Sequence, residues 1–312
     1  MVNNNYMNLF EIEKKEIESV TIFCDERKNI NGQWNYLILL IIPTIQLETA
    51  LAILTEKRNR IGYNFELKFS DIKKDHGDKF LLASEWIDLI KKDSQKIFHF
   101  KILGIDISKF KNKNFGGDVK KGEYSANMYN RFFRTNLLGL KYFFNPLNID
   151  NIFHDTEGNL ENHSYFNWHS IWKVNTTEDN ITINSKRIYF INSNHNLEAE
   201  YSNYSQLIQL SDIVLGSVSN CFDTNMNNIG QQKLSLKIKD LVERIINNPL
   251  NKNSSYNYYK RCDISFFPSE PIHEPESSQA KLEGWIYRKR NLVINSSEIK
   301  TKIDNQLKFK ME

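Results

Sequence analysis

The chain has 312 residues, 40% of them hydrophobic and 25% charged, which is typical of a globular protein with one large core or two modest ones. Its formal net charge of +3 is too small to give affinity for nucleic acid by itself, so such affinity would require a local basic patch. The N-terminus lacks an apolar signal core, and the longest apolar run, residues 36–43, is too short to cross a bilayer. These features predict a cytoplasmic protein that makes no membrane contact.

The first part of the chain is predicted to contain three strands and two helices. Residues 20–25 are rich in β-branched and apolar residues, residues 34–43 form a continuous apolar run, and residues 98–108 form a third candidate strand. Apolar residues at helical spacing predict helices at residues 46–60 and 78–92, between the second and third strands.

Further along the chain, strands and helices alternate. The predicted elements are a helix at 123–144, a strand at 149–155, a helix at 161–174, a strand at 186–192 and a helix at 205–222. Three strands followed by strands that alternate with helices predict an α/β fold, with a mixed β-sheet covered by helices on both faces.

The domain organisation predicted from the sequence is simple. Only 12 Gly and 6 Pro residues are present, and no strong linker interrupts the chain. We therefore expect an N-terminal extension at 1–17, one domain at 18–250, and a C-terminal appendage at 251–312 that packs on the same domain. The appendage is expected to be irregular apart from a last short strand or helix.

Two of the predicted strands end in acidic residues. Asp25 and Glu26 follow the first strand, in the stretch VTIFCDERK, and His154 and Asp155 end the strand at residues 149–155. If these strands are neighbours, Asp25 and Asp155 approach each other. Because side chains alternate along a strand, Glu26 is expected to point to the opposite side from Asp25 and is placed in a supporting role.

A third acid lies on a helix, and a fourth lies in an extended segment. In the helix at 205–222, Asp212 shares a polar seam of small residues with Gln209 and Gly216, and apolar residues flank this seam. Between residues 65 and 70, apolar and polar residues alternate, which predicts an extended segment that presents Glu66 and Lys68 on one side.

Several carboxylates at one place require a cation. Two unit charges about 4 Å apart repel by roughly 4 kcal/mol at an effective dielectric constant of 20. Mg²⁺ or Mn²⁺ binds carboxylate oxygens, and a pair of such ions can activate water and stabilise a leaving oxygen in phosphodiester cleavage. The acids therefore predict a site for Mg²⁺ or Mn²⁺, with two ions, in which Asp25, Asp155 and Asp212 are the ligands.

The same residues carry a family resemblance. DER at 25–27, ELKFS at 66–70, the strand ending at Asp155 and QLIQLSDIVLGSV at 206–218 resemble the bacterial family called domain of unknown function 3800. The resemblance covers residues 18–270. The matching positions are Asp25, Glu26, Glu66, Asp155, Gln209, Asp212 and Gly216. Arg27 and Lys28 depart from the family pattern, which has Ser and Gly at these positions.

This resemblance implies a ribonuclease H-like fold and a metal-dependent nuclease or related phosphoryl-transfer enzyme, linked to antiviral defence or mobile elements. We interpret Asp25, Asp155 and Asp212 as metal ligands and Glu66 as a further ligand or the group that orients the attacking water. Gln209 is expected to support them. The resemblance does not distinguish RNA from DNA, and a partner protein or activator is a further expectation.

Basic residues are the candidates for nucleic-acid contact. Lys68 lies beside Glu66, and Lys113, Lys120 and Lys121 lie in the stretch KFKNKNFGGDVKK, which has the composition of a loop that touches phosphates. Such a charge run is also typical of an ordinary solvated loop.

Two alternatives remain open at this stage. The first is a binding module on the same fold, which would use its acids structurally and need no divalent ion. The second is a paired-carboxylate hydrolase such as a glycosidase, whose activity would survive EDTA.

Overall fold

The protein is described from a computed structural model, in which residues 18–30, 32–92, 97–109, 115, 123–142, 144, 146–156, 169–177, 180–198, 200–222, 228–247 and 262–267 are placed. In these ranges the strands are β1 (Glu18–Ile30), β2 (Trp34–Pro43), β3 (His99–Asp106), β4 (Leu147–Asp155), β5 (Ile181–Ile183), β6 (Ile188–Ile191) and β7 (Cys262–Phe267). The α-helices are α1 (Leu47–Ile61), α2 (Asp78–Lys92), α3 (Glu123–Leu138), α4 (His169–Trp172), α5 (Val174–Thr177), α6 (Ser205–Asn220) and α7 (Ile229–Asn247).

The strands form one mixed sheet in the order β5-β4-β1-β2-β3-β7, and β6 also pairs with β4. β1, β2 and β3 form an antiparallel meander, whereas β4 is parallel to β1, β5 and β6. β7 is parallel to β3 at the other side of the sheet. β1 is therefore central, as its two apolar faces predict.

Helices cover both faces of this sheet, which confirms the predicted α/β class. One core cluster joins α1, α2, α6 and α7 to sheet residues that include Phe23 and Phe153. The other cluster joins α3 to residues on the opposite face, such as Ile22 and Ile152. No helix in the described part of the chain is long and apolar enough to cross a bilayer.

Several element boundaries differ from the sequence predictions. β1 continues past Asp25 to Ile30, because its antiparallel pairing with β2 includes Arg27 and Tyr36. The predicted helix at 161–174 is described only from residue 169, where two short helices lie. The sequence analysis did not predict β5 or α7.

Part of the predicted C-terminal appendage belongs to the sheet. β7 pairs with β3 over six residues, from Phe100 with Cys262 to Ile105 with Phe267. The predicted N-terminal extension at 1–17 lies outside the described residues.

Candidate acidic site at the sheet edge

Asp25 and Asp155 lie on two neighbouring parallel strands, just beyond the last paired residues of β1 and β4. β1 and β4 pair in register up to Cys24 and His154, so the next residues on each strand are neighbours. The rings of Phe23 and Phe153 stack at 5.2 Å between centroids on the face covered by α6. Because side chains alternate along a strand, Asp25 and Asp155, two residues further on, lie on that same face.

Asp212 reaches this region from α6. Its Oδ2 accepts a hydrogen bond of 2.7 Å from the backbone N–H of Phe69. Phe69 begins a short 3-10 helix, Phe69–Asp71, immediately after the segment that carries Glu66 and Lys68. This hydrogen bond joins α6, which carries Asp212, to the segment that carries Glu66.

The carboxylates of Asp25, Asp155 and Asp212 influence one another electrostatically. Burial raises the pKa of Asp25 well above its ordinary value, and the charges of Asp212 and Asp155 raise it further. Burial also raises the pKa of Asp212 to about 6, although the Phe69 N–H and the Arg27 guanidinium oppose this shift. Such mutually raised pKa values are expected for acids that share one site without a cation.

Glu66 and Asp155 are joined through Ser193. The Ser193 hydroxyl donates a 2.6 Å hydrogen bond to Glu66 Oε1, and the Ser193 backbone N–H donates one of 3.2 Å to Asp155 Oδ1. Lys68 Nζ lies 3.2 Å from Glu66 Oε1, and its side chain is 48% exposed. Partial burial lowers the pKa of Lys68, but Glu66, Asp155 and Asp212 outweigh it and raise the pKa.

Gln209, which the sequence places in a supporting role, connects the same segments by hydrogen bonds. Its side-chain carbonyl accepts hydrogen bonds from the Leu67 backbone N–H at 3.1 Å and from Arg58 Nη2 at 2.6 Å. Its amide nitrogen donates a 2.6 Å bond to the Ser193 carbonyl. Gln209 therefore holds the Glu66 segment against the loop that binds Asp155.

Arg58 is a buried part of this network that the sequence analysis missed. Its Nη1 donates to the carbonyls of Tyr63 and Phe65, and its Nε donates to Gln206. The guanidinium also lies over the ring of Trp86, 5.2 Å from the centroid. The burial of Arg58 could have been predicted from helical spacing, because position 58 continues the buried stripe of α1 that Leu47, Leu51 and Leu54 define. Ser193 has no comparable signal, because it lies in a polar loop after β6.

Arg27, where the sequence departs from the family pattern, points toward α6. Its Nη1 donates to Ser219 Oγ at 2.6 Å, to Asn220 Oδ1 at 3.1 Å and to the Gly216 carbonyl at 3.2 Å. The guanidinium lies 5.2 Å from the centroid of the Phe69 ring. Arg27 thus does not begin a turn, and it brings a positive charge close enough to act on Asp212.

Glu26 lies on the opposite face from Asp25, as the strand alternation predicts. Its Oε2 is 3.4 Å from His154 Nε2, it pairs with Lys28, and Tyr129 hydrogen-bonds to the same His154 nitrogen. Burial opposes ionisation of Glu26, but His154 and Lys28 outweigh it and lower the pKa of Glu26 to about 2. Burial likewise opposes charge on His154, yet the Glu26 partner raises the pKa of His154. Glu26 and His154 form a buried ion pair beneath the acids, and Glu26 does not lie at the acidic site itself.

The remaining predicted substrate contacts cannot be placed. Lys113, Lys120 and Lys121 lie outside the described residues. Of the predicted basic contacts, Lys68 is the one that the structure brings to the acids.

Carboxylate oxygens are the ligands that hard divalent cations prefer, and the acids of β4 and α6 lie close enough to that of β1 to raise the pKa of Asp25. Among the placed side chains, no group of three or more His, Cys, Asp or Glu residues is arranged to hold a metal ion. Comparison of the chain with protein-family models and with curated proteins finds no match. The function must therefore be inferred from the site itself.

Proposed function

We propose that the chain is a divalent-metal-dependent nuclease with a ribonuclease H-like fold that hydrolyses phosphodiester bonds. The observation that carries this proposal is the electrostatic coupling of three acids from separate elements: Asp212 and Asp155 raise the pKa of Asp25, and Asp155 also raises the pKa of Asp212. Acids with strongly shifted pKa values cluster at functional sites more often than at structural ones.

The strand arrangement supports the proposed fold. An antiparallel meander of β1, β2 and β3 is followed by β4, which is parallel to β1 on its other side. This topology places Asp25 of β1 beside Asp155 at the end of β4, and α6 supplies the third acid. It is the arrangement that the resemblance to domain of unknown function 3800 leads us to expect.

The donor set favours Mg²⁺ or Mn²⁺, in one or two ions, held by Asp25, Asp155 and Asp212. When bound, the ions supply positive charge that lowers the cost of bringing the phosphate to the acids and of forming the leaving oxygen. Asp25 and Asp155 lie on neighbouring strands and Asp212 lies on α6, so the three carboxylates would have to reorient to share a cation. Ion binding would also release the protons that the raised pKa values retain.

Glu66 and Lys68 have complementary roles in this proposal. Ser193 and Lys68 both hold Glu66 Oε1, so the carboxylate is oriented before substrate arrives. Glu66 would accept a proton from the attacking water through its carboxylate. Lys68, whose ammonium group is half exposed, would exchange its contact with Glu66 for one with a substrate phosphate.

A cleavage assay tests the proposal. Single- and double-stranded RNA and DNA would be incubated with the wild type in Mg²⁺, in Mn²⁺ and in EDTA. We expect cleavage with either metal, none in EDTA, and none in Asp25→Asn or Asp212→Asn. Asp150→Asn is a matched control, because Asp150 lies on the same strand as Asp155 but bonds to Thr44 and Asn184 instead.

Other outcomes would contradict the proposal. Activity that survives EDTA would indicate metal-free carboxylate chemistry. Binding of nucleic acid without cleavage, and without any stabilisation by metal, would indicate a binding module whose acids are structural.

A further inference from the structure

Phe65 is a large aromatic side chain that remains in solvent immediately beside the acidic site. It is 70% exposed, whereas Leu67 and Phe69, in the same segment, are buried. The sequence alternation predicts an extended segment with Glu66 and Lys68 on one side, but it does not predict that Phe65 faces solvent next to Glu66.

The position of Phe65 is fixed by its backbone contacts. Arg58 Nη1 donates to the Phe65 carbonyl at 2.8 Å and to the Tyr63 carbonyl at 3.0 Å. The Tyr63 hydroxyl donates to the Glu66 carbonyl at 3.0 Å, and the Tyr63 ring meets Phe65 edge-on at 5.8 Å. A buried arginine and a neighbouring aromatic thus hold Phe65 in an exposed position.

A second exposed apolar side chain faces solvent from the adjoining loop. Leu197 is 71% exposed, in the turns that follow β6 and Ser193. This loop touches the Phe65 segment through His195, whose Nε2 lies 3.1 Å from the Asn64 carbonyl. Phe65 follows Asn64 in the chain, and Leu197 lies two residues after His195, so both exposed side chains are close in sequence to this contact.

We propose that Phe65, with Leu197 on the adjoining loop, is a stacking surface for an unpaired base of a single-stranded nucleic acid. This inference rests on the proposed nuclease function and names its substrate class. An aromatic face binds any base, but it can do so only where the base is not already stacked within a duplex.

Charges of both signs lie near Phe65: Glu66 is next to it in the chain, and Lys68 Nζ lies 3.2 Å from Glu66 Oε1. In the proposed nuclease, cations bound by the acids would offset their negative charge, and Lys68 would supply an ammonium group for a phosphate. The backbone of a strand could thus pass Lys68 toward the acids while one of its bases rests on Phe65. Two exposed apolar side chains form too small a surface for a stable protein interface, which requires about 800 Å² from each partner.

Binding measurements test this surface directly. Fluorescence anisotropy would compare a labelled single strand with its blunt duplex, with Ca²⁺ in place of Mg²⁺ and a gel to verify that the probes stay intact. We expect Phe65→Ala to weaken single-strand binding about tenfold, with duplex binding unchanged. Phe65→Trp should restore single-strand affinity because it keeps an aromatic face.

Ile45→Ala is the matched control. Ile45 is 94% exposed, but it follows β2 at the opposite edge of the sheet, where Pro43 pairs with Val20. Its removal should change neither affinity. Equal single-strand affinity of Phe65→Ala and the wild type, or equal losses for single strand and duplex, would overturn the inference.

The outcomes separate this inference from the nuclease proposal. If the wild type cleaves in Mg²⁺ and Phe65→Ala binds single strands normally, the stacking surface is wrong and the nuclease proposal stands. If the wild type binds single strands through Phe65 but never cleaves, the stacking surface stands and the nuclease proposal is wrong.

Discussion

Gly216 lies directly against the ring of Phe69: a Cβ atom at position 216 would be 2.2 Å from Phe69 Cγ. The backbone N–H of Phe69 is also the group that donates to Asp212, one turn earlier on α6. The missing side chain at Gly216 thus lets the segment that carries Glu66 approach the helix closely enough to hold Asp212. This contact explains why the polar seam of α6 combines an acid with a glycine.

Gly216→Ala should therefore destabilise the fold, although alanine is the better helix former. We expect the free energy of unfolding to fall by about 1–3 kcal/mol, because the new methyl group overlaps a buried ring. Urea denaturation measures this change. In a Phe69→Leu background the same substitution should cost less, since the smaller side chain leaves room. An equal cost in both backgrounds would contradict the contact.

Arg58 should be essential to the order of the Glu66 segment. Arg58→Met removes hydrogen bonds to the Tyr63 and Phe65 carbonyls and leaves Gln209 with fewer partners, so we expect a loss of about 2–3 kcal/mol in the free energy of unfolding. Arg60→Met is the control, because Arg60 lies on the same helix but is exposed and pairs only at the surface with Glu85. Similar stabilities for the two variants would show that the Arg58 network is unimportant.

The raised pKa of Asp212 predicts a pH dependence in EDTA. The folded protein retains a proton on Asp212 up to about pH 6, whereas the unfolded chain releases it near pH 4. The free energy of unfolding should therefore fall as pH rises from about 4 to 6, and it should stay lowered at higher pH because Asp212 is then ionised in a buried position. Asp212→Asn carries no charge, so we expect its free energy of unfolding at pH 7 to exceed that of the wild type by about 2–3 kcal/mol. Parallel stability curves for variant and wild type across this range would contradict the prediction.

The ion pair of Glu26 and His154 should stabilise the fold without taking part in metal binding. Glu26→Gln leaves a buried charged partner, so we expect a loss of about 3 kcal/mol in the free energy of unfolding at pH 7. In a double-mutant cycle, His154→Gln should recover part of that loss. Strict additivity of the two substitutions would show that the residues are not coupled.

The acids could be predicted from the sequence because each lies in a local pattern. Asp25 and Asp155 each follow an apolar run of strand length, and Asp212 falls on the polar seam of an apolar helix. The sequence predicts that Asp25 and Asp155 approach each other only if their strands are neighbours, and the pairing of β1 with β4 supplies that condition. The roles of Ser193 and Arg27 could not be predicted, since they depend on how loops and helix ends meet across residues distant in sequence.

Other parts of the fold illustrate the same limit. The sequence predicts only a last short strand or helix in the appendage, and β7 was not located because its short apolar run lies among polar and proline-rich residues. β7 is stabilised by pairing with β3, more than 150 residues away, and by packing of Phe266 against Phe222. α7 carries an apolar pattern at helical spacing, including Leu234, Ile238 and Leu241, so its sequence did contain a signal.

The most direct test of the account is a Mn²⁺ titration of the wild type, followed by electron paramagnetic resonance of the free ion. We expect saturable binding that weakens at least about tenfold in Asp25→Asn, Asp155→Asn and Asp212→Asn. Asp150→Asn, the same change at a position of β4 that bonds to Thr44 and Asn184, should bind as the wild type does. Absence of saturable binding, or equal affinity in the wild type and Asp25→Asn, would contradict a metal site built from the three carboxylates.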